Sequence, residues 1–276
     1  MALVQRKLGK TDLEVSVIGL GTVKFGRNQG VKNKTSDGFA LPEDSQIEKL
    51  LGICRDEGLT LLDTAPAYGV AEERLGKLLG TSRKEFIISS KAGESFNGES
   101  STYDFSADAI TKSVENSLRT LKTDYIDSIL LHCPRDDMDV LKNTPALETL
   151  AKLKKKGNIR AFGASTHTIE AGLYACTLCD ILMVPYNPEY TEHLPVIKLA
   201  EDFECGILIK KGLYSGHIDE TNPKESLFNC FHSALSHQSA SSLVAGTISE
   251  KHLIENIRLA NKAMKLINNN EKNKAS

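Results

Sequence analysis

The fold is decided by the stretch TLLDTAPAYG, residues 60–69. Apolar and β-branched side chains lead up to Asp63, and Pro66 and Gly69 then break the backbone away from any regular element. This pattern predicts a buried strand that ends in a functional loop, with Tyr68 just beyond the strand. A carboxylate and a phenol this close are suited to proton transfer. On this stretch alone, a turn capped by Asp63 and a Tyr68 ring packed on the next helix explain the pattern equally well.

The composition argues against several classes of partner. The 276 residues include 34 basic and 36 acidic ones, spread along the whole length, and the formal net charge is −2. We therefore expect a small-molecule partner, with no nucleic-acid or membrane surface. The N-terminus lacks the continuous apolar core of a secretory signal, and no apolar run approaches the ~20 residues that span a bilayer. These features predict a cytoplasmic protein.

Six cysteines are scattered through predicted helices, loops and strand starts, at positions 54, 133, 176, 179, 205 and 230. In a chain of this size that distribution is typical of reduced thiols rather than of a disulfide framework. The spacing of Cys176 and Cys179 is suggestive, but neither a second pair nor a histidine cluster accompanies it. We therefore expect no metal site.

Strand and helix patterns alternate from Val17 to the end of the chain. Eight apolar strands, each followed by a helix, predict an α/β fold in which a parallel sheet closes into a (β/α)8 TIM barrel. A short N-terminal β-hairpin precedes it, and residues 1–276 form a single domain in this interpretation. The predicted strands are 17–22, 59–64, 85–91, 125–132, 159–165, 181–186, 206–210 and 242–246, and the helices before the last are 44–56, 71–79, 107–121, 144–157, 169–177, 192–201 and 224–236.

Polar side chains stand at the ends of three consecutive predicted strands: Asp63 with Tyr68 in its loop, then Lys91, then His132. The active site of such a barrel lies at the carboxyl ends of its strands, so we expect these side chains to converge. Lys91 would lower the pKa of Tyr68, and Asp63 would hold the lysine in place. Singly, a salt bridge explains Lys91 and a satisfied core histidine explains His132. Together they indicate that Tyr68 is a general acid with His132 beside it.

Short motifs stand at or near the predicted strand ends. They are VIGLGT (17–22), LDTAPAYG (62–69), SSK (89–91), LH (131–132), GAS (163–165), PYN (185–187), GT (246–247) and EN (255–256). In their order and placement they resemble the motifs of the aldo-keto reductase family over nearly the whole chain. The resemblance implies an NADPH-dependent carbonyl reductase. Tyr68 would protonate the carbonyl oxygen, supported by Lys91, Asp63 and His132, while the nicotinamide delivers hydride to the carbon.

The resemblance also implies where NADPH, or NADP+ after the reaction, would bind. Gly21, Thr22 and Asp63 would lie near the nicotinamide ribose, and Ser165 would hold the carboxamide. The adenosine end would be bound by Gly246, Thr247, His252, Glu255 and Asn256. Further candidate cofactor contacts, which the family pattern does not supply, are Val23, Thr166, Lys210 and Lys211. A helix N-terminus close to the 2′-phosphate provides donors and a favourable dipole.

Several positions depart from the family pattern, and all of them concern the cofactor. Thr166 stands where the family commonly has Asn, and Met183 where it has Gln, so neither provides the usual amide. Lys210 and Lys211 occupy the seventh strand end, where many members stack an aromatic ring. The lysines would then reach the pyrophosphate, and Tyr214 would do the stacking. These departures predict that the nicotinamide end is held more loosely.

The preference between NADPH and NADH depends on the segment before the last helix. His252 stands where the family often has Arg, and an imidazole is a weaker phosphate partner than a guanidinium. Because Lys251 and the hydroxyl of Ser249 lie close to it in sequence, we still favour NADPH.

The substrate pocket is expected between the loops 23–42, 93–105 and 133–143. These loops contain the aromatic residues Phe25, Phe96, Tyr103 and Phe105, and little chain follows the last helix to cover the site. The prediction is an open pocket that takes a small-molecule carbonyl substrate, with broad aldehyde tolerance.

Two alternative functions fit parts of the sequence. One is a redox-sensing regulatory module that binds NADPH with slow or no turnover; the complete set of catalytic residues favours chemistry instead. The other is a metal-dependent hydrolase or lyase. It requires a His/Asp ligand set at strand ends, whereas only His132 among the histidines is so placed. The expected oligomeric state is a monomer or a weak homodimer.

Overall fold

The computed structural model describes residues 3–30, 39–214 and 222–275. The strands are β1 (Gln5–Lys7), β2 (Glu14–Ser16), β3 (Ile18–Gly21), β4 (Leu61–Asp63), β5 (Ile87–Ala92), β6 (Glu94–Phe96), β7 (Ser101–Tyr103), β8 (Ile126–His132), β9 (Ile159–Ser165), β10 (Ile181–Pro185), β11 (Gly206–Lys210) and β12 (Ala240–Gly246). Eight of them close into a parallel barrel in the order β3, β4, β5, β8, β9, β10, β11, β12 and back to β3. The predicted (β/α)8 barrel is confirmed.

The helices surround this barrel. They are α1 (Val23–Gly26), α2 (Asp44–Glu57), α3 (Ala71–Leu78), α4 (Ala107–Thr120), α5 (Asp137–Asn143), α6 (Ala146–Lys155), α7 (Ile169–Cys176), α8 (Leu194–Asp202), α9 (Pro223–Leu235) and α10 (Glu250–Ala275). Local sequence starts several of them: the Ser106 hydroxyl accepts a hydrogen bond from Ala109 N at the start of α4. At the start of α2, Gln46 accepts one from Glu43 N in a capping box.

The N-terminal hairpin β1–β2 closes the end of the barrel opposite the strand carboxyl ends. Its turn packs so tightly on the start of β11 that a Cβ at Gly9 would lie 2.3 Å from the Gly206 nitrogen. Apolar side chains of the hairpin segment then fill the barrel interior together with those of the strands: Leu8, Leu13, Val15, Leu61, Leu130, Ala161, Ile181, Met183 and Leu208. The hairpin prediction is confirmed, and the opposite mouth is left for a functional site.

Three elements at that mouth were not predicted, and the first is the short helix α1 within the expected loop 23–42. The segment after β5 was expected to be an irregular loop, but it forms the antiparallel hairpin β6–β7. The segment after β8 contains α5. Of the predicted loop 23–42, residues 31–38 lie outside the described part of the chain. Among the helices that the structure describes, none combines the length and apolar character needed to cross a bilayer.

Candidate active site

A cavity of about 780 Å³ opens at the carboxyl ends of the barrel strands. We divide its wall into two parts. The catalytic half consists of Asp63, Tyr68, Lys91 and His132, together with Glu94 behind the histidine. The cofactor half contains Gly21, Val23, Ser165, Met183, Lys210, Lys211, Gly246, Thr247, His252, Glu255 and Asn256. The predicted catalytic residues therefore do meet in one cavity.

A buried ion pair joins β5 to β4 in the catalytic half. Lys91 Nζ lies 2.7 Å from Asp63 Oδ1 and donates a second hydrogen bond of 2.9 Å to the Thr64 carbonyl. Burial disfavours the charge of Lys91, but Asp63 and Tyr68 together outweigh it, so the pKa of Lys91 is raised. The cation is therefore fixed in place, and its Nζ lies 4.7 Å from the centroid of the Tyr68 ring.

Tyr68 is positioned by a single 3-10 turn, Pro66–Tyr68, directly after β4. The next residue, Gly69, has φ +63° and packs against α1 so closely that a Cβ there would lie 2.2 Å from the Gly26 carbonyl oxygen. Gly26 is equally restricted, because its own Cβ would lie 2.4 Å from the Tyr68 carbonyl oxygen. Glycine at both positions lets the Tyr68 turn and α1 pack backbone to backbone.

The pKa of Tyr68 is raised rather than lowered. Burial raises it, and the Lys91 cation acts in the predicted lowering direction without overcoming burial. The expectation of a net lowered pKa was wrong, because sequence order does not reveal how deeply the phenol lies. The phenol consequently keeps its proton at neutral pH, as a proton donor must.

His132 faces the Tyr68 ring edge-on, with ring centroids 6.1 Å apart. Its Nδ1 lies 2.5 Å from Glu94 Oε2 on β6. Burial lowers the pKa of His132, and the Glu94 carboxylate opposes that shift. Burial also disfavours the Glu94 carboxylate, but the contact with His132 outweighs it and lowers the pKa of Glu94.

Glu94 is the member of this cluster that sequence analysis missed. It was included in a pocket loop and given no role, yet the hairpin β6–β7 brings it against His132. Ser101 on β7 holds the other carboxylate oxygen through a hydrogen bond of 2.5 Å. The dipeptide Asn97-Gly98 between two short β-type runs is a hairpin signal that could have revealed this element.

In the cofactor half, Lys210 donates a 2.9 Å hydrogen bond to the hydroxyl of Ser165. Burial lowers the pKa of Lys210 to about 7, and the neighbouring Lys211 acts in the same direction. The accessible part of Lys210 opens into the cavity. Within the described chain it forms no ion pair with a carboxylate.

Two residues predicted to contact the cofactor do not line the cavity. Thr22 is fully buried and donates its hydroxyl to the Asp63 carbonyl at 2.9 Å. The Thr166 hydroxyl is also fully buried, with no hydrogen-bond partner among the described residues. Tyr214, considered as a stacking residue, is likewise absent from the lining, and its ring hydroxyl interacts with Cys230. Their neighbours along the chain, rather than they themselves, face the cavity.

The far end of the cavity lies at the beginning of α10. Gly246 on β12 pairs with Gly21 on β3, and both glycines line the cavity without a side chain. Thr247 accepts a hydrogen bond from Ser249 N, and Ser249 accepts one from His252 N. These bonds orient a helix N-terminus at the rim, which favours an anionic group there.

The donor set fits a nicotinamide dinucleotide. Lys210 has no carboxylate partner in the part of the chain that the structure describes, the Ser165 hydroxyl is available to donate, and α10 presents its N-terminus. A dinucleotide offers an amide and several phosphate oxygens, which are suitable acceptors for these groups. By contrast, the described residues contain no cluster of three His, Cys, Asp or Glu side chains that could hold a metal. All six cysteines are free and buried.

Comparisons with known proteins agree with this geometry. A model of the aldo/keto reductase family matches residues 17–222. The aldo-keto reductase YhdN of Bacillus subtilis is 35% identical over 226 residues, which are 77% of this chain and 64% of YhdN. L-galactose dehydrogenase of Arabidopsis thaliana is 32% identical over 80% of this chain and 68% of its own length. The chain thus spans about two thirds of the length of these relatives.

Solved structures of aldo-keto reductases resemble this chain over more of its length than the relatives above. A crystal structure from Pseudomonas aeruginosa, assigned to the aldo-keto reductases, is 42% identical with a TM-score of 0.85 and covers 95% of both chains. The holo form of aldo-keto reductase AKR11C1 from Bacillus halodurans has a TM-score of 0.75 over 96% of both chains. At 21% identity, that second likeness shows the fold alone.

Proposed function

The chain belongs to the aldo/keto reductase family, and from that premise we propose that it reduces aldehydes or ketones to alcohols with NADPH. One observation carries the proposal: Tyr68, the Lys91–Asp63 ion pair and His132 converge on one cavity. A structural role for these groups would not require them to face an open space. Buried charges are costly, and proteins keep them in cavities chiefly where chemistry uses them.

Each catalytic residue has one task in this proposal. Tyr68 gives the proton of its phenol to the carbonyl oxygen of the substrate, and Lys91 stabilises the tyrosinate that forms. Asp63 keeps Lys91 charged and in place through its 2.7 Å contact. His132 lies beside the phenol and orients the same carbonyl oxygen, while Glu94 holds the imidazole.

The cofactor half would hold NADPH. When bound, the nicotinamide supplies a hydride to the carbonyl carbon. Ser165 and Lys210 would face the nicotinamide end, and Gly21 and Gly246 leave room for the chain of the cofactor. Preference for NADPH over NADH is proposed because His252 and the N-terminus of α10 stand where a 2′-phosphate would be received.

The substrate would enter beside Tyr68. The lining of the cavity includes the apolar side chains of Val23, Leu213 and Leu227, which favours small or partly apolar carbonyl compounds. Two relatives are named for sugars, the L-galactose dehydrogenase and a D-threo-aldose 1-dehydrogenase of a Pseudomonas species. Aldoses therefore belong in the substrate panel next to simple aldehydes.

The test is NADPH oxidation against that panel, with the Tyr68→Phe variant measured in parallel. We expect the variant to lose activity by about a hundredfold or more, because it keeps the ring and loses the proton donor. Its affinity for NADPH, measured by fluorescence titration, should stay within about twofold of wild type. Tight NADPH binding without turnover of any substrate would instead support a regulatory NADPH-binding module. Undiminished turnover by Tyr68→Phe would exclude the assigned proton donor.

A further inference from the structure

The side chain of Lys210 reaches past a neighbouring strand to its hydrogen-bond partner. Its own strand, β11, pairs with β10, where Lys210 lies opposite Pro185. Ser165 is on β9, the neighbour of β10 on its other side, and lies opposite Met183. The 2.9 Å hydrogen bond from Lys210 to Ser165 therefore reaches past β10. The ammonium thus comes to the place next to Met183 where that thioether cannot donate a hydrogen bond.

No described carboxylate neutralises this ammonium. Lys91 has Asp63 as its partner at 2.7 Å. Asp137, the acidic residue on α5 near Lys210, is already bonded to His167 N and to both Thr168 N and its hydroxyl. Lys210 itself makes one hydrogen bond, to a neutral hydroxyl, and an ammonium has three donors. Two donors and one positive charge are therefore available to a ligand in the cavity.

We propose that Lys210 contacts the carboxamide of the nicotinamide and makes the protein bind NADPH more tightly than NADP+. The inference rests on the proposed function, because it requires the nicotinamide end of the cofactor to lie against Ser165. Lys210 then supplies the donor that Met183 lacks. The expectation from sequence that this end is held loosely is replaced by an expectation that it is held selectively.

The physical reason is a difference of one charge between the two forms of the cofactor. The nicotinamide ring is neutral in NADPH and positive in NADP+, while the rest of the molecule is the same. A nearby uncompensated cation leaves the reduced ring unaffected and repels the oxidised one, strongly so away from bulk water. After each turnover the product form of the cofactor is therefore bound more weakly, which promotes its release.

The selectivity also depends on pH. Burial lowers the pKa of Lys210 to about 7, so the charge is present below pH 7 and lost above it. The titratable and charged groups that surround it are Lys91, His132, Cys133, Asp137, His167, His193 and Lys211. Burial lowers the pKa of His167 to about 4, so this neighbour stays neutral across the range. Discrimination against NADP+ should therefore be strongest below pH 7 and decline above it.

The experiment measures dissociation constants of NADPH and NADP+ by titration calorimetry, at about pH 6 and about pH 9. Lys210→Gln keeps a donor without the charge, and Lys210→Arg keeps the charge. We expect the ratio Kd(NADP+)/Kd(NADPH) to fall by about tenfold in Lys210→Gln at the lower pH and to persist in Lys210→Arg. At the higher pH the wild-type ratio should approach that of Lys210→Gln. The exposed Lys112→Gln, which removes a surface pair with Asp108, serves as the matched control.

The outcomes separate the two proposals. If wild type binds neither cofactor, the proposed function fails and this inference fails with it. If NADPH binds but Lys210→Gln leaves the ratio unchanged, the inference is wrong and the proposed function stands. An equal change in the Lys112→Gln control would also overturn it, since the effect would then come from overall charge.

Discussion

The catalytic half and the cofactor half of the barrel mouth differ in how their charges are balanced. In the catalytic half Lys91 lies 2.7 Å from Asp63, and His132 lies 2.5 Å from Glu94. In the cofactor half, the hydroxyl of Ser165 is the only hydrogen-bond partner of Lys210 among the described residues. The charges of the catalytic half are paired within the protein, whereas the charge of Lys210 would be paired by a bound ligand. This difference indicates that the catalytic groups are preorganised by the protein, whereas the cofactor half gains much of its stabilisation from binding.

Removing a lysine should therefore have opposite effects in the two halves, and the larger effect is expected in the catalytic half. Lys91→Met leaves Asp63 buried without a partner, because the pair is only 1% and 6% exposed. We expect a loss of about 3–5 kcal/mol in the free energy of unfolding, together with loss of turnover. Urea denaturation measures the change in the free energy of unfolding. The double variant with Asp63→Asn should recover much of the stability, and failure to do so would contradict charge pairing as the cause.

Lys210→Met is the matching change in the cofactor half, and it should stabilise the apoprotein. It removes a partly buried cation without leaving a counter-ion behind, so we expect a gain of about 1–2 kcal/mol in the free energy of unfolding. The pKa of Lys210 falls from 10.5 to about 7 on folding, so the folded state binds fewer protons between these values.

The pH dependence of this gain in stability follows from the direction in which folding shifts the pKa of Lys210. Wild-type stability should rise as the pH increases from about 7 toward 10.5, because the penalty for the buried charge disappears over that range. The advantage of Lys210→Met is thus full below pH 7 and declines above it. Thermal melts of both proteins across this range measure it. If Lys210→Met is less stable than wild type at pH 6, the conclusion that Lys210 lacks a counter-ion is contradicted.

The smallest expected effect concerns Glu94, whose influence is transmitted through His132. Burial lowers the pKa of His132 and Glu94 counteracts it, so Glu94→Gln should lower that pKa further. Histidine NMR titration of both proteins measures the shift. The pH profile of kcat/KM should move in the same direction wherever His132 governs it. A change in activity without a change in the His132 pKa would show that Glu94 acts only by packing.

Sequence patterns were sufficient for the fold and for the convergence of Asp63, Tyr68, Lys91 and His132 on one cavity. The eight predicted strands are all present, and Asp63, Lys91 and His132 stand at or next to their ends. These predictions succeed because strand and helix periodicity is local, and barrel geometry brings the ends of parallel strands together. Glu94 escaped notice because its partner is 38 positions further along the chain, and only the hairpin β6–β7 brings the two together.

The sequence by itself determined the barrel, the order of its strands and which polar side chains stand at their ends. The tertiary structure alone decided how deeply each side chain is buried and which groups it reaches. It buries the Thr22 and Thr166 hydroxyls behind the cavity wall. It also buries Tyr68, so that burial outweighs the effect of Lys91 on the pKa of the phenol. Lys210 extends past β10 to Ser165. Periodicity assigns a residue to a strand and a face. Its distance from water and from other charges depends on neighbouring strands and loops, which the chain brings together only on folding.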